Sequence, residues 1–335
     1  MMSRWLPFEE PLVQLDEDLA RLDRELQSLD GSADADKLIE LRQRRDKLIE
    51  TRDRLLREIF SVLKPWHRVQ IARHQKRPYP LDYINGMCSN FIELHGDRTF
   101  GDDGAVVAGL ARLDGRSVVM VGYQKGRDVR ERQRRNFGMP LPEGLRKARR
   151  VMELADKFGK PVISFVDTPG AACLVEAEER GISEAIARNQ MVMSQLRVPV
   201  VVIIVGEGNS GGAIALALGD KVFMLEHAYY SVISPEGCAS ILWRDGSRGA
   251  DAAAALHLTA EDIVRFGVAD GIIPEPPGGA HRDPATAIRN VKATILQALA
   301  ELDQYSPEEL VERRYQRYRH MGVFRESRDA VKSEP

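Results

Sequence analysis

A chain of 335 residues, 43% hydrophobic and 29% charged, can bury a substantial core, and its length fits one large domain with an appendage. Its net charge of -2 gives no global attraction to nucleic acid or to anionic membranes. Cys88, Cys173 and Cys238 stand far apart, which excludes a disulfide framework and a Cys-x-x-Cys zinc ribbon.

The N-terminus carries Glu9, Glu10, Asp16, Glu17 and Asp18 where a signal peptide needs an apolar core, and no run is long enough to span a membrane. A cytoplasmic protein with no membrane contact is expected. Leu12, Leu15, Leu19, Leu22, Leu26 and Leu29 alternate three and four residues apart, as in a coiled-coil seam. Asp30-Gly31-Ser32 breaks it, and Leu38, Leu41, Leu48, Leu55, Ile59 and Val62 resume it, with Arg45 and Arg52 at expected apolar places. An antiparallel helical hairpin over 1–64 fits both runs. Lys64-Pro65-Trp66 is expected to end it, and 65–80, closing on Arg77-Pro78-Tyr79-Pro80, reads as a stiff linker.

From Leu81 strands and helices alternate. The segments 105–113 and 117–123, joined at Asp114-Gly115, predict a hairpin. Helix 143–158 leads to strand 161–166 and the turn Asp167-Thr168-Pro169-Gly170; helix 177–196 leads to the run Val200 to Val205. Six consecutive β-branched apolar residues read as a strand buried on both faces, the mark of a parallel sheet. Strands over 222–225 and 230–233, a turn at Pro235-Glu236-Gly237 and helices from Pro284 to about His320 complete the pattern. An α/β main domain over 81–283, C-terminal helices over 284–325 and a disordered tail over 326–335 follow.

Ligands on parallel sheets bind at the carboxyl ends of the strands, so the turns after Val166 and Val205 are expected side by side. The second, Gly206 to Gly212, opens a helix at Ala213 to Ala217. The first amides of a helix lack intrahelical acceptors and carry the positive end of its dipole. Without Cβ atoms at Gly211 and Gly212, a substrate oxygen can reach those amides, which is a recipe for an oxyanion hole. Neither Gly-x-Gly-x-x-Gly nor a P-loop pattern is present. Gly208-Asn209-Ser210-Gly211-Gly212 loosely fits a nucleophile elbow, but a helix-capping Ser210 hydroxyl is the preferred reading. Asp167 reads equally as a cap on the local backbone. The basic stretch around Lys125, Arg127, Arg146 and Lys147 reads as a solvated face or as contacts for a phosphate-rich ligand such as coenzyme A.

Several segments then become specific together: Gln124-Lys125-Gly126-Arg127, Asn136-Phe137-Gly138-Met139-Pro140, Asp167-Thr168-Pro169-Gly170, Ala177-Glu178-Glu179-Arg180-Gly181 and Ser234-Pro235-Glu236-Gly237-Cys238-Ala239. They closely resemble the α-subunit family of bacterial acetyl-CoA carboxylase carboxyltransferases, over nearly the whole chain. The resemblance implies a crotonase-like (ClpP-like) ββα superhelix, with the N-terminal hairpin and C-terminal helices attached. It implies an α2β2 assembly with a zinc-bearing β subunit, the metal belonging to that partner alone. Working with biotin carboxylase and the biotin carboxyl carrier protein, such an enzyme moves a carboxyl group from carboxybiotin to acetyl-CoA, giving malonyl-CoA for fatty-acid synthesis. The turn amides of Gly211, Gly212 and Ala213 would hold the ureido oxygen of biotin. Gly170, Ala171, Gly208, Asn209 and Ser210 would line the substrate, and Lys125 and Arg127 are candidate contacts for coenzyme A phosphates. Where the family continues with tyrosine, proline, glycine, valine, glycine, this chain has Ala172-Cys173-Leu174-Val175-Glu176, so a strained or rearranged loop is expected. The alternatives are a paralogue with another acyl-CoA substrate or a scaffold role, and a Ser210 hydrolase.

Overall fold

The computed structural model describes residues 5–29 and 35–322. The break expected at Asp30-Gly31-Ser32 and the tail expected over 326–335 lie outside the described residues. Two long helices come first, α1 (Glu10–Leu29) and α2 (Ala35–Ser61). Leu12, Leu19 and Leu22 of α1 and Leu41 and Leu56 of α2 are buried, and Arg45 of α2 donates to Asp23 of α1 at 2.6 Å. Arg45 therefore serves at a seam position that the leucine pattern reserved for an apolar residue.

The expected linker is largely something else. Pro65 opens helix α3 (Pro65–Ala72) and Pro80 opens α4 (Pro80–Met87), each at the first helical position. Proline lacks the amide that this position leaves unpaired, so it starts helices as readily as it ends them. Arg77, Tyr79 and Pro80 are buried rather than solvated.

Eight strands form one sheet: β1 (Cys88–Glu93), β2 (Val106–Leu113), β3 (Arg116–Tyr123), β4 (Val162–Thr168), β5 (Val200–Asn209), β6 (Lys221–Leu225), β7 (Tyr229–Ser231) and β8 (Gly271–Ile273). The order is β1-β2-β3-β4-β5-β6-β8, with β7 also paired to β5. The first three strands are antiparallel, and every pairing from β3 onward is parallel. Asp114 and Gly115, both at positive φ, make the hairpin turn between β2 and β3. The all-apolar run in β5 is buried throughout because it lies between β4 and β6. Past Ile204 β5 leaves β6, and Glu207 to Asn209 pair with β7 instead. The end of the strand therefore runs between β4, where Gly208 pairs with Thr168, and β7, carrying the glycine turn with it.

Helices α5 (Val129–Arg134) and α6 (Pro142–Lys157) connect β3 to β4. The single helix expected over 177–196 is two, α7 (Val175–Glu179) and α8 (Ile182–Gln195), because Gly181 adopts φ +81 between them. A short α9 (Ser210–Ile214) follows β5. The turn expected at Pro235 is the start of α10 (Pro235–Trp243), capped by the Ser234 hydroxyl, which accepts from the Gly237 amide. Helices α11 (Gly249–Leu256), α12 (Ala260–Arg265), α13 (Pro284–Leu302) and α14 (Pro307–Arg319) complete the mixed α/β fold. Among the described residues no helix is long and apolar enough to cross a membrane.

Candidate active site

The two turns singled out from the sequence touch. Gly206 lets Asp167 lie so close that a Cβ there would sit 2.5 Å from the Asp167 carboxylate. Asp167 uses that approach to accept from the Glu207 amide at 2.9 Å, so it caps the neighbouring strand rather than its own turn. Six residues after Gly206, Gly212 packs against the other turn; a Cβ would stand 2.5 Å from the Ala171 nitrogen. The Thr168 hydroxyl closes its own turn by accepting from the Gly170 amide at 3.1 Å.

The bend between β5 and α9 is abrupt. Asn209 is extended, and Ser210 adopts φ +56 in the left-handed region. A non-glycine residue there is uncommon and clusters at functional turns. Asn209 occupies the N-cap position but does not cap; its side-chain amide donates to the Tyr229 hydroxyl at 2.8 Å. Nor does Ser210 cap the helix, which corrects the expectation of a capping hydroxyl: it is itself the first helical residue. With Asn209 as N-cap, the amides without an intrahelical acceptor belong to Ser210, Gly211 and Gly212. No described hydrogen bond joins the Ala213 amide to the Asn209 carbonyl, so Ala213 stands beside them as a candidate donor.

Ser210 and Gly211 line a cavity of about 810 Å³ with Ile214, Tyr230, Val232 and His257. Gly211 is half-buried and Gly212 is buried. His257 approaches Asp262 at 3.6 Å, but among the described hydrogen bonds none joins Ser210 to a histidine. Among the described residues no cluster of three or more histidine, cysteine or acidic side chains could hold a metal ion.

Beneath the turns lies an ionic network that sequence reading missed. Lys125 donates to Asp167 at 2.7 Å and to Glu207 at 2.8 Å. Arg73 donates to Glu207 at 2.8 Å and to Glu236 at 2.5 Å, and the Tyr229 hydroxyl donates to Glu207 at 2.7 Å. Burial works to raise the Glu207 carboxyl, but Lys125 and Arg73 overcome it and hold the group at about 2. The ammonium of Lys125 is raised in turn: burial opposes its charge, and the two carboxylates more than restore it. Arg127 is also engaged, with Asp82, with the carbonyls of Gln75 (2.6 Å) and Arg77 (2.9 Å) and over the Tyr79 ring. Both candidate coenzyme A contacts are thus committed within the chain, Lys125 entirely so. The signal available in the sequence was the placement of Asp167 and Glu207 at matching strand ends with one lysine before them.

A second buried pair anchors the end of β5. Arg77 makes a bidentate pair with Glu275 (2.6 and 2.7 Å) and donates to the Val205 carbonyl at 2.8 Å. Beside it, burial pushes the His227 imidazole down to about 4. Arg68 lies 3.1 Å from Nδ1 of His227, and since arginine only donates, that nitrogen accepts. The folded-state value lies below the ordinary 6.5, so the unfolded chain takes up this proton first. The stability contributed by neutral His227 is therefore complete above about pH 6.5 and is lost as pH falls towards 4. Denaturation curves from pH 7 to pH 4 are expected to lose up to about 3 kcal/mol through this group. The His227→Gln variant should show a correspondingly shallower pH slope; an identical slope would contradict the assignment.

The altered loop is not strained. Leu174 sits at φ -104 as the residue before α7, and Cys173, Leu174 and Val175 are exposed beside the two turns.

A family model described as acetyl co-enzyme A carboxylase carboxyltransferase-like matches residues 5–322. Acetyl-coenzyme A carboxylase carboxyl transferase subunit alpha of Geobacter metallireducens is 51% identical over 96% of this chain and 98% of its own length. The protein of the same name from Thermus thermophilus is 52% identical over 96% and 99%. Among solved structures, a Pseudomonas malonate decarboxylase hetero-tetramer in complex with coenzyme A has a chain that superposes with a TM-score of 0.57 at 17% identity, over 70% of this chain and 91% of that one. The β subunit of P. aeruginosa geranyl-CoA carboxylase gives 0.53 at 18% identity, over 72% and 46%. At these identities the two structures speak to the fold alone.

Proposed function

The chain belongs to the acetyl co-enzyme A carboxylase carboxyltransferase-like family, as a carboxyl transferase α subunit, and from that premise we propose how it works. It transfers the carboxyl group from biotin on the biotin carboxyl carrier protein to acetyl-CoA, forming malonyl-CoA, in an α2β2 assembly whose β subunit brings the zinc. The observation that carries this reading is the strained elbow at Ser210, which leaves the first amides of α9 uncapped and sets Gly211 in the wall of an open cavity.

Carboxylated biotin supplies an activated carboxyl group, and negative charge grows on its ureido oxygen as that group departs. The chain's own contribution is to meet that charge with donors already in place. Main-chain amides at a helix start need no reorganisation when charge develops, which is what makes them effective. No side-chain base is asked of this subunit, and among the described hydrogen bonds none joins Ser210 to one. Gly170 and Ala171 shape the facing wall, and Gly208 and Asn209 set the exit of the strand. The donors offered at this turn are the amides of Gly211, Gly212 and Ala213.

The same reading takes the main domain, 81–283, as a crotonase-like superhelix. The paired helices over 1–64 and the C-terminal helices over 284–325 are its appendages, in the cytoplasm. Mixing the purified chain with its zinc-bearing β subunit and carboxylated carrier is expected to yield malonyl-CoA from acetyl-CoA, with neither subunit active alone. Assembly without product would favour a scaffold. Thioester hydrolysis by the chain alone, lost in Ser210→Ala, would replace this reading with a hydrolase.

A further inference from the structure

The short helix α9 leaves one of its own carbonyls unpaired. Ala215 donates to the Gly211 carbonyl (3.1 Å), Leu216 to that of Ala213 (3.1 Å) and Ala217 to that of Ile214 (3.3 Å), so the ladder passes over Gly212. The Tyr123 hydroxyl donates to the Gly212 carbonyl instead. Among the described hydrogen bonds it is the one donor that reaches this oxygen. Tyr123 is fully buried at the end of β3, where its backbone pairs with Val106 of β2. The hydroxyl is therefore placed by the antiparallel side of the sheet, not by either glycine turn.

Two successive glycines follow Ser210 at the start of this helix, and glycine has the widest choice of backbone conformations. Two contacts restrict Gly212: Gly170 and Ala171 fill the space that a Cβ would take on one side, and its carbonyl is tied to Tyr123 on the other. Because a peptide unit is planar, fixing that carbonyl fixes the plane of the Ala213 amide that follows it, in the first turn of α9. We propose that Tyr123 is a positioning residue for carboxyl transfer, holding the first turn of α9 so that its free amides stay aimed at the developing oxyanion. This rests on the oxyanion reading above.

In the assembled α–β enzyme, Tyr123→Phe keeps the ring and removes only the donor. Expected is a fall in kcat of about tenfold or more, since small misplacements of preorganised groups are costly, with KM for acetyl-CoA within about twofold of the original. Unchanged kcat in the assembled variant, or a loss matched by an equal rise in KM, would overturn the proposal. If Tyr123→Phe does not assemble, 3-fluorotyrosine placed at 123 keeps the ring and changes the donor strength. A kcat different from that of the unmodified enzyme at constant KM is then expected, and an identical kcat overturns it. Gly211→Pro assayed beside it separates the two readings. Full activity there removes the oxyanion role itself; its loss alongside a fully active Tyr123→Phe enzyme removes only the part given to Tyr123.

Discussion

Gly211→Pro is expected to lower kcat for carboxyl transfer by on the order of 10²–10³-fold, the usual cost of deleting one oxyanion donor. Gly211 lies in the first turn of α9, where proline is tolerated because the amide it lacks has no helical partner. Gly211→Ala is the control, since it keeps the amide and adds the bulk. Its Cβ would meet the end of the Ile186 side chain at 3.1 Å, a flexible atom that can yield, so activity should stay within a few-fold. Gly212 is the wrong place for this test. A Cβ there would collide with the backbone of Gly170 and Ala171, and any loss of activity would mix displaced turns with a lost donor. A Gly212→Val variant is accordingly expected to lose stability as well as turnover. Steady-state kinetics on the assembled enzyme decide the matter: equal loss in the alanine and proline variants at 211 would show that bulk, not the amide, governs the rate.

Lys125→Met is expected to destabilise the chain by about 3–5 kcal/mol, the cost of leaving buried charges without their partner. Its ammonium is shared by Asp167 and Glu207, whose side chains are almost wholly buried. Arg73 still faces Glu207 in the variant, but Asp167 has no other cation within ion-pair distance among the described residues. The pH dependence carries a definite sign. Glu207 is held at about 2 in the folded chain against an ordinary 4.5, so its share of stability is present above about pH 4.5 and is lost as pH falls towards 2. In Lys125→Met both carboxyls protonate more readily on folding, and the gap to the parent chain should narrow below about pH 4.5. Urea unfolding at pH 7 and pH 4 measures this directly. A gap that widens in acid would mean that the lysine acts by packing and not by charge. Adding Asp167→Asn to Lys125→Met should restore part of the loss, because the two sites share one interaction.

How far the sequence reveals this architecture depends on the range of the forces involved. The run Val200 to Val205 and the turn Asp114-Gly115 are local signals, and both describe the structure correctly. The adjacency of the turns after β4 and β5 also follows, because neighbouring parallel strands bring their carboxyl ends together. Prolines mislead twice: Pro65 and Pro235 predict a stop and a turn, yet each opens a helix, a choice set by the residues that follow. A lone glycine at 181 leaves the apolar period of one long helix intact, while its φ of +81 divides the helix in two. Lys125 and Arg127 looked like a solvated basic face because charge along the chain says nothing about partners 42 and 82 residues away, as Asp167 and Glu207 are from Lys125. Asn209 and Ser210 each had the side chain for a cap, but tertiary contacts assigned Asn209 to Tyr229 and put Ser210 at the bend.

The most direct measurement is a structure of the α–β enzyme with biotin bound. The account predicts the ureido oxygen within about 3.1 Å of the Gly211 or Gly212 nitrogen, at the open side of the elbow. A ureido oxygen held by side chains elsewhere, with those amides facing water, would contradict it.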